Sequence, residues 1–222
     1  MRFESMLCVL FLAGNLLVAR AFSQALTGES KGRYEVNVFA EGGPALNYRQ
    51  NNGYSFQRPA SQVALGGEIG VFPFRAQSEK RFQYAADIKP IFRGSFPYVN
   101  KLVTDTDLDN KQFKLEFPGY VIYGGEVTPV ILKEVFRASK RVSPQAQVGC
   151  GILITAGNYP YDKTSQINFT PKAGFGVHFN VDPRHAIAAE VNAVHTSNGG
   201  IGASNPGVNL SVVFRVGYTW WR

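Results

Sequence analysis

The chain has 222 residues, 45% of them hydrophobic and 18% charged, with a formal net charge of +7. That length suits one domain, and outside the first residues no stretch is long and apolar enough for a membrane-spanning helix. The positive charge does not gather into a basic cluster with interleaved aromatic residues, which argues against nucleic acid as a partner and favours a surface rich in anionic phosphates.

The first residues have the pattern of a secretory signal peptide. Arg2 gives a short positive start, residues 6–19 are mostly apolar, and small residues at cleavage spacing predict a cut after Ala21 or Ala25. The apolar run is shorter than the ~20 residues that span a bilayer, so a membrane anchor is the less favoured alternative. The signal peptide then covers residues 1–25.

Alternation of apolar and polar residues with period two recurs along the remaining chain, as is typical of strands with two different faces. The first strand, for example, sets Val36 and Val38 against Glu35 and Asn37. The pattern predicts eight strands, within residues 33–41, 62–71, 81–89, 121–129, 145–154, 167–180, 187–193 and 210–220. Turn or loop chemistry lies at residues 42–44, 51–53, 105–110, 158–163 and 182–184.

Alternation alone does not say which face is inside, so a soluble β-sandwich stays open beside a membrane barrel with an apolar exterior. The apolar face on every strand favours the barrel. Once Cys8 leaves with the signal peptide, only Cys150 remains, so no internal disulfide supports a small exported domain. Aromatic residues also lie near strand ends, as in an interfacial girdle: Phe96, Tyr98, Tyr159, Tyr161, Tyr218, Trp220 and Trp221.

The expected fold is therefore all-β: an eight-stranded antiparallel outer-membrane β-barrel, forming a single domain in residues 26–222. Only helices and closed barrels satisfy every backbone polar group in lipid. The lumen of so small a barrel must be filled, and the inward-facing charged residues could form a polar plug: Glu68, Glu126, Glu190, Lys172 and Arg215.

His195 and Ser197 are the residues best suited to chemistry. They lie two apart at the end of a predicted strand, so they share a face, with Cα atoms about 7 Å apart. Histidine can take the serine proton as general base. The pair continues the apolar face of residues 187–193, and polar groups on a lipid face are costly without a purpose. A lipid substrate is implied, although a His and a Ser near a loop are common.

The segment around this pair is more specific. Residues 195–198 read His-Thr-Ser-Asn, a glycine-containing loop follows, and residues 205–209 read Asn-Pro-Gly-Val-Asn. This resembles the lipid A 3-O-deacylase (PagL) family, also called acyloxyacyl hydrolases, which shows His-x-Ser-Asn, a glycine-containing loop and Asn-x-Gly-x-Glu before the last strand. Residues 123–129 and 168–171 also look like that family's strands, and the resemblance covers roughly residues 120–218.

The resemblance implies a role for each matching residue. Ser197 would be the nucleophile and His195 the base, and the side-chain amide of Asn205 would donate to the oxyanion. The backbone N–H of Gly200 is a candidate second donor, and Asn198 would support the geometry. Such donors are typically worth ~3–4 kcal/mol each. Without the His-x-Ser pair, simple turn chemistry would explain the asparagines and glycines better.

The third triad position departs from the family pattern, because Asn209 stands where the family has Glu. An amide oxygen can still accept from the histidine ring and fix its tautomer, but it brings no full charge to stabilise the imidazolium. Strict alternation also gives Asn209 the inward parity of Ser211. A β-bulge within residues 212–214, where the alternation is interrupted, would restore an outward Asn209.

The resemblance thus implies an outer-membrane serine esterase that removes an ester-linked acyl chain, by analogy the 3-O-linked one, from lipid A without metal or cofactor. A catalytically weak or inactive structural barrel of the same family is the alternative, and a soluble exported β-sandwich binding module is a third. Lipopolysaccharide in the bacterial outer membrane is the expected partner, nucleic acid is not, and a homodimer is left open.

Overall fold

A computed structural model describes residues 34–51, 54–72, 80–105, 111–136, 141–160, 164–201 and 209–222. The expected signal peptide lies outside these residues. No helix in the described part of the chain is long and apolar enough to cross a membrane. The described chain forms ten strands: β1 (Tyr34–Asn51), β2 (Tyr54–Val71), β3 (Lys80–Phe96), β4 (Val99–Asp105), β5 (Lys111–Phe117), β6 (Tyr120–Phe136), β7 (Val142–Tyr159), β8 (Ser165–Asn180), β9 (His185–His195) and β10 (Asn209–Trp221).

Eight of these strands close into an antiparallel barrel in the order β1-β10-β9-β8-β7-β6-β3-β2. Each predicted strand falls within one of the eight, apart from single residues at an end, so the predicted fold is confirmed. Closure pairs β1 with β10, from Glu35↔Trp221 to Asn47↔Asn209, and leaves the barrel wall without an edge strand. In hydrocarbon this closure matters, because no water is present to bond an unpaired backbone group.

The strands β4 and β5 form a separate two-stranded hairpin between β3 and β6. The sequence analysis did not predict them. Of the connection predicted at residues 105–110, residues 106–110 lie outside the described part of the chain, and Asp105 belongs to β4, where it pairs with Lys111. The signal was present in residues 111–117, where Lys, Phe, Leu and Phe alternate with Gln, Lys and Glu.

The outer face of the barrel is apolar and the lumen is polar. Along β9, Ile187 and Val191 are exposed on the outside, whereas Glu190 and Asn192 are buried inside. The other barrel strands show the same arrangement, and their outward Val, Ile, Leu and Phe side chains are exposed. This is the arrangement of a membrane barrel rather than of a soluble sandwich.

Buried ion pairs fill the middle of the lumen. Arg215 donates to Glu41 (Nε–Oε2, 2.9 Å), Glu68 (Nη1–Oε2, 3.1 Å) and Asp87 (Nη2–Oδ2, 3.0 Å). The same carboxylates are shared with lysines: Lys89 reaches Glu41, Lys133 reaches Glu68 and Lys172 reaches Asp87. All five residues predicted to form a polar plug are buried here. The structure adds Glu41, Asp87, Lys89 and Lys133 to the plug.

An apolar cluster fills the lumen beyond the charges, on the side where β3 and β7 end. It consists of Ala64, Phe92, Phe96, Ile122, Leu153 and Tyr159. Assigning Phe96 and Tyr159 to the interfacial girdle was therefore wrong, because each is only 2% exposed. The register of β3 against β6 shifts between Lys89 and Phe92, which turns Phe92 and Phe96 inward. Tyr218 and Trp220 are exposed, as a girdle requires.

The predicted turn at residues 42–44 is also wrong, because β1 runs straight through it. Gly42 pairs with Val63 and Pro44 with Ser61 of β2. Towards β10 the backbones come so close that a Cβ on Gly43 would lie 1.9 Å from the Val212 carbonyl oxygen. Glycine is required by this approach between strands rather than by a turn.

The connections at the two ends of the barrel differ. The hairpin β4–β5 and residues 196–201 lie at the end where β9 finishes, whereas Arg141 and residues 181–184 lie at the other end. In the sequence, 13 residues separate β9 from β10 but only four separate β8 from β9. In outer-membrane barrels the longer loops are extracellular and the short turns periplasmic. The C-terminal end of β9, with His195, is accordingly at the outer surface.

The buried charges generate the first prediction. Arg215→Gln should lower the free energy of unfolding by about 3–5 kcal/mol, because four carboxylates, including Glu190, would lose their shared buried cation. Urea unfolding in detergent micelles, followed by the gel mobility of unheated samples, measures the change. Lys114→Gln, which removes an exposed cation of the hairpin, is the control and should stay within about 0.5 kcal/mol of wild type. An Arg215→Gln barrel as stable as the control would contradict the role of the ion pairs.

Candidate active site

The His195–Ser197 segment lies where the barrel wall ends. His195 is the last residue of β9 and pairs with Leu210 of β10. Beyond it, Ser197 forms an isolated bridge with Phe169 of β8, in which its N–H donates to the Phe169 carbonyl (3.0 Å) and its carbonyl accepts from the Phe169 N–H (2.7 Å). Ser197 is therefore fixed to β8 on one side after pairing with β10 has ended.

Parity places His195 and Ser197 on the outer face of the wall. Ala193 before them is exposed, the pair itself is half-buried, and the intervening Thr196 and following Asn198 are buried. The shared outward face expected from the sequence is thus present, near the extracellular end of the barrel. A substrate held there would approach from the lipid rather than through the lumen.

A tight turn follows the serine. Gly199 and Gly200 have φ angles of +61° and +83°, a left-handed conformation that favours glycine. The Gly199 N–H donates to Ser197 Oγ (3.2 Å), and the Gly200 N–H donates to Asn198 Oδ1 (3.0 Å). Asn198 thus supports the turn from inside. The Gly200 N–H, a candidate oxyanion donor from the sequence, is therefore already bonded to Asn198. The Gly199 N–H, which lies beside the serine hydroxyl, was not predicted to belong to the site.

Phe169 is a second residue that the sequence analysis did not place in the site. Its backbone forms both hydrogen bonds to Ser197, and its ring lies against the turn, since a Cβ on Gly199 would be 3.0 Å from Phe169 Cε2. Pairing across strands depends on register, so nothing in the local sequence of β9 indicates this neighbour.

The structure describes the backbone of Asn209 but does not describe Asn205, which lies outside the described residues. Asn209 begins β10, and the register from Leu210↔His195 to Trp220↔His185 runs without a shift, so the bulge considered within residues 212–214 is absent. Val213 is turned inward and Phe214 outward. By strand parity, position 209 belongs with Ser211 and Val213, on the opposite face from His195.

No group of three or more His, Cys, Asp or Glu that could hold a metal ion occurs among the described residues. The polar groups nearest in sequence to the pair, Thr196 and Asn198, are buried in the wall. Among the described residues of this segment, an imidazole, a hydroxyl and the N–H groups of a glycine turn lie at the outer face.

A closed barrel with a polar lumen and a histidine–serine pair on its lipid-facing wall defines the class: a bacterial outer-membrane barrel with a candidate hydrolase site. The family model for Lipid A 3-O-deacylase (PagL) matches residues 101–219, more than half of the chain. The chain belongs to this family, and at that level it is grouped with the outer-membrane lipid A deacylases.

Solved outer-membrane barrels are similar to the chain at low identity. The outer-membrane enzyme PagL shares 15% identity over 83% of this chain and 98% of its own, with a TM-score of 0.49. Ail, the attachment invasion locus protein of Yersinia pestis, shares 11% over 87% of this chain and 100% of its own, with a TM-score of 0.46. Neisserial surface protein A shares 13% identity over 84% of this chain and 96% of its own, with a TM-score of 0.43. No curated protein matches the sequence significantly.

The contact between Phe169 and Gly199 generates the second prediction. Gly199→Ala should slow lipid A deacylation at least 10-fold, because the new Cβ meets the Phe169 ring and the φ angle is strained. In a Phe169→Ala background, Gly199→Ala should reduce turnover by a smaller factor, because the ring that the new Cβ meets is absent. A double-mutant cycle on turnover measures the coupling, expected at ~0.5–3 kcal/mol.

Gly200→Ala is the matched control for this cycle. Its φ angle is also left-handed, but a Cβ there meets nothing within 4 Å. Its cost should therefore be the same with and without the Phe169 ring. Additive losses for Gly199→Ala and Phe169→Ala would remove Phe169 from the site.

Proposed function

We propose that the chain is an outer-membrane serine esterase that removes an ester-linked acyl chain, the 3-O-linked one by family analogy, from lipid A. The observation that supports this most is the outward position of His195 and Ser197 at the extracellular end of β9. Lipid A anchors lipopolysaccharide in the outer leaflet, so its ester groups lie at this height beside the wall. A lumen-facing pair could not reach them.

In the proposed reaction, His195 takes the proton of the Ser197 hydroxyl as Oγ attacks the acyl carbonyl carbon. The tetrahedral intermediate collapses, the ester C–O bond to the sugar breaks, and His195 returns the proton to the departing sugar oxygen. Water then loses a proton to His195 and attacks the acyl-serine carbonyl carbon, the bond between that carbon and Oγ breaks, and His195 returns the proton to Oγ. The products are a free sugar hydroxyl and a fatty acid, and Ser197 is restored.

Oxyanion stabilisation is assigned to the segment after the serine. The side-chain amide of Asn205 and the N–H of Gly200 are the donors that family analogy gives, with Asn198 in support. To serve, the Gly200 N–H must leave Asn198 Oδ1, and the Gly199 N–H, which donates to Ser197 Oγ (3.2 Å), must turn from the hydroxyl to the oxyanion beside it. We therefore add Gly199 as a donor candidate. Donors of this kind are worth ~3–4 kcal/mol each.

Asn209 is proposed to orient the His195 ring in place of the family Glu. Its parity weighs against this role, because position 209 belongs to the inward set of β10. That observation favours a second candidate function, a structural barrel of the family whose hydrolysis is weak or lost. The two candidates predict different behaviour of the same variants.

The third prediction concerns the nucleophile and the base. Ser197→Ala and His195→Ala should each abolish release of fatty acid from lipid A, detected by mass spectrometry, and the losses should not add because the two groups act as a unit. Ser143→Ala and His185→Ala are matched controls that should keep wild-type turnover, since both residues lie at the opposite end of the barrel from the pair. Unchanged turnover in Ser197→Ala would reject the mechanism. No turnover in wild type would favour the structural barrel.

The fourth prediction concerns Asn209. If Asn209 orients His195, Asn209→Ala should slow hydrolysis without preventing folding, and Asn209→Glu should be tolerated or faster, because a carboxylate also stabilises the imidazolium. If position 209 serves the lumen instead, Glu would add a buried charge to a network already rich in carboxylates, and stability would change more than rate. Turnover and unfolding temperature of wild type and both variants separate these outcomes. Unchanged turnover in both would leave a His–Ser dyad.

A further inference from the structure

The periplasmic end of the barrel carries a one-sided distribution of charge. Arg141 precedes β7, Arg184 precedes β9 and Arg222 follows β10, and all three are exposed. We call these three residues the basic rim. They follow the wall from β7 through β8 and β9 to β10, and β10 pairs with β1, so they occupy one continuous arc rather than scattered positions.

Backbone hydrogen bonds fix where the rim residues sit. The Asn180 N–H donates to the Arg141 carbonyl (2.8 Å), and the Trp221 N–H donates to the Arg184 carbonyl (2.8 Å). Arg222 exchanges two hydrogen bonds with Tyr34, at 2.8 and 2.9 Å. Each arginine is therefore attached to a strand neighbour at the barrel edge, while its long side chain can reach the surrounding interface.

Around Arg184 and Arg222, the described residues offer little negative charge. Asp182 is the exposed carboxylate beside the rim, and it is engaged within its own turn: it accepts from the Arg184 N–H (2.7 Å) and contacts the His185 ring (2.7 Å). These contacts hold the pKa of Asp182 below its usual range, through the Arg184 N–H first and the His185 ring second. Within the described residues, no ion pair involves the side chains of Arg184 or Arg222.

The surface just above the rim is apolar and aromatic. Phe179, Val181, Tyr218 and Trp220 are exposed on the outer wall, and the His185 ring stacks on Tyr218. Such a belt lies at the boundary between hydrocarbon and headgroups. It sets the rim at the height of the headgroups of the periplasmic leaflet.

The sequence at this end has the same bias. Residues 72–81, 137–141, 181–185 and 222 contain eight Lys or Arg residues against two carboxylates, Glu79 and Asp182. Eight cations less two carboxylates give these sequence segments most of the chain's net charge of +7.

We propose that the basic rim binds the phosphate headgroups of anionic phospholipids in the periplasmic leaflet and so anchors the barrel at that interface. Arginine matches phosphate with bidentate geometry, and basic residues at an anionic membrane surface each contribute to binding. The partner is the lipid headgroup rather than a soluble anion, because the aromatic belt holds the rim in the headgroup layer. This binding is independent of ester hydrolysis.

The test compares unfolding of the full barrel in phosphatidylcholine vesicles with unfolding in vesicles in which about one third of the lipid is phosphatidylglycerol. Phosphatidylglycerol should shift the urea midpoint of wild type upward. In the variant Arg141→Gln/Arg184→Gln/Arg222→Gln most of that shift should be lost, at roughly fivefold in the unfolding equilibrium constant per arginine. About 1 M salt should abolish the shift in wild type.

Two controls make the outcome specific. Lys114→Gln removes an exposed cation of the β4–β5 hairpin and should keep the full lipid-dependent shift. The triple Arg→Lys variant keeps the positive charge and should keep most of the lipid-dependent shift in the urea midpoint. It provides a test even if the triple Gln variant folds poorly. Equal shifts in wild type and the Gln variant, or an equal stabilisation of wild type by soluble glycerol phosphate in phosphatidylcholine vesicles, would overturn the proposal.

Discussion

The absence of water in hydrocarbon is the constraint on which this structure depends, because every backbone N–H and C=O in the wall must be bonded within the protein. Closure of β1 onto β10 meets it for all eight wall strands. Once the wall is closed, alternation assigns each side chain to lipid or lumen. The position of His195 and Ser197 on the outside is thus a consequence of strand parity rather than of a pocket.

A closed eight-stranded wall encloses a lumen that side chains must fill, and this chain fills it in two ways. Arg215 and three lysines bridge carboxylates from strands on opposite sides of the barrel, and an apolar cluster with Phe92, Phe96 and Tyr159 lies between them and the outer surface. Breaking one partner of such a network leaves the others buried without compensation, which is costly. The ion pairs here connect wall strands that are not neighbours in the barrel, such as β10 with β2 and β3.

Features that follow from the alternation of residues along a strand could be predicted from the sequence. Features that depend on the register between strands could not. All eight wall strands and the shared face of His195 and Ser197 follow from a period of two. The inward turn of Phe92 and Phe96 does not, because a register shift after Lys89 reverses the parity of β3. Phe169 could not be found for a related reason: its place opposite Ser197 is set by the pairing of β8 with β9, to which the local residues give no signal.

The same rule limits which group can act as the third member of the site. A β10 residue that reaches His195 across the wall must have outward parity, and the first two such residues, Leu210 and Val212, are apolar. Pairing of β10 with β9 ends at Leu210, so Asn209 is held by β1 alone, through Asn47. Parity is enforced only where both neighbours pair. The start of β10 is therefore the point at which pairing with β9 no longer fixes the face that a side chain takes.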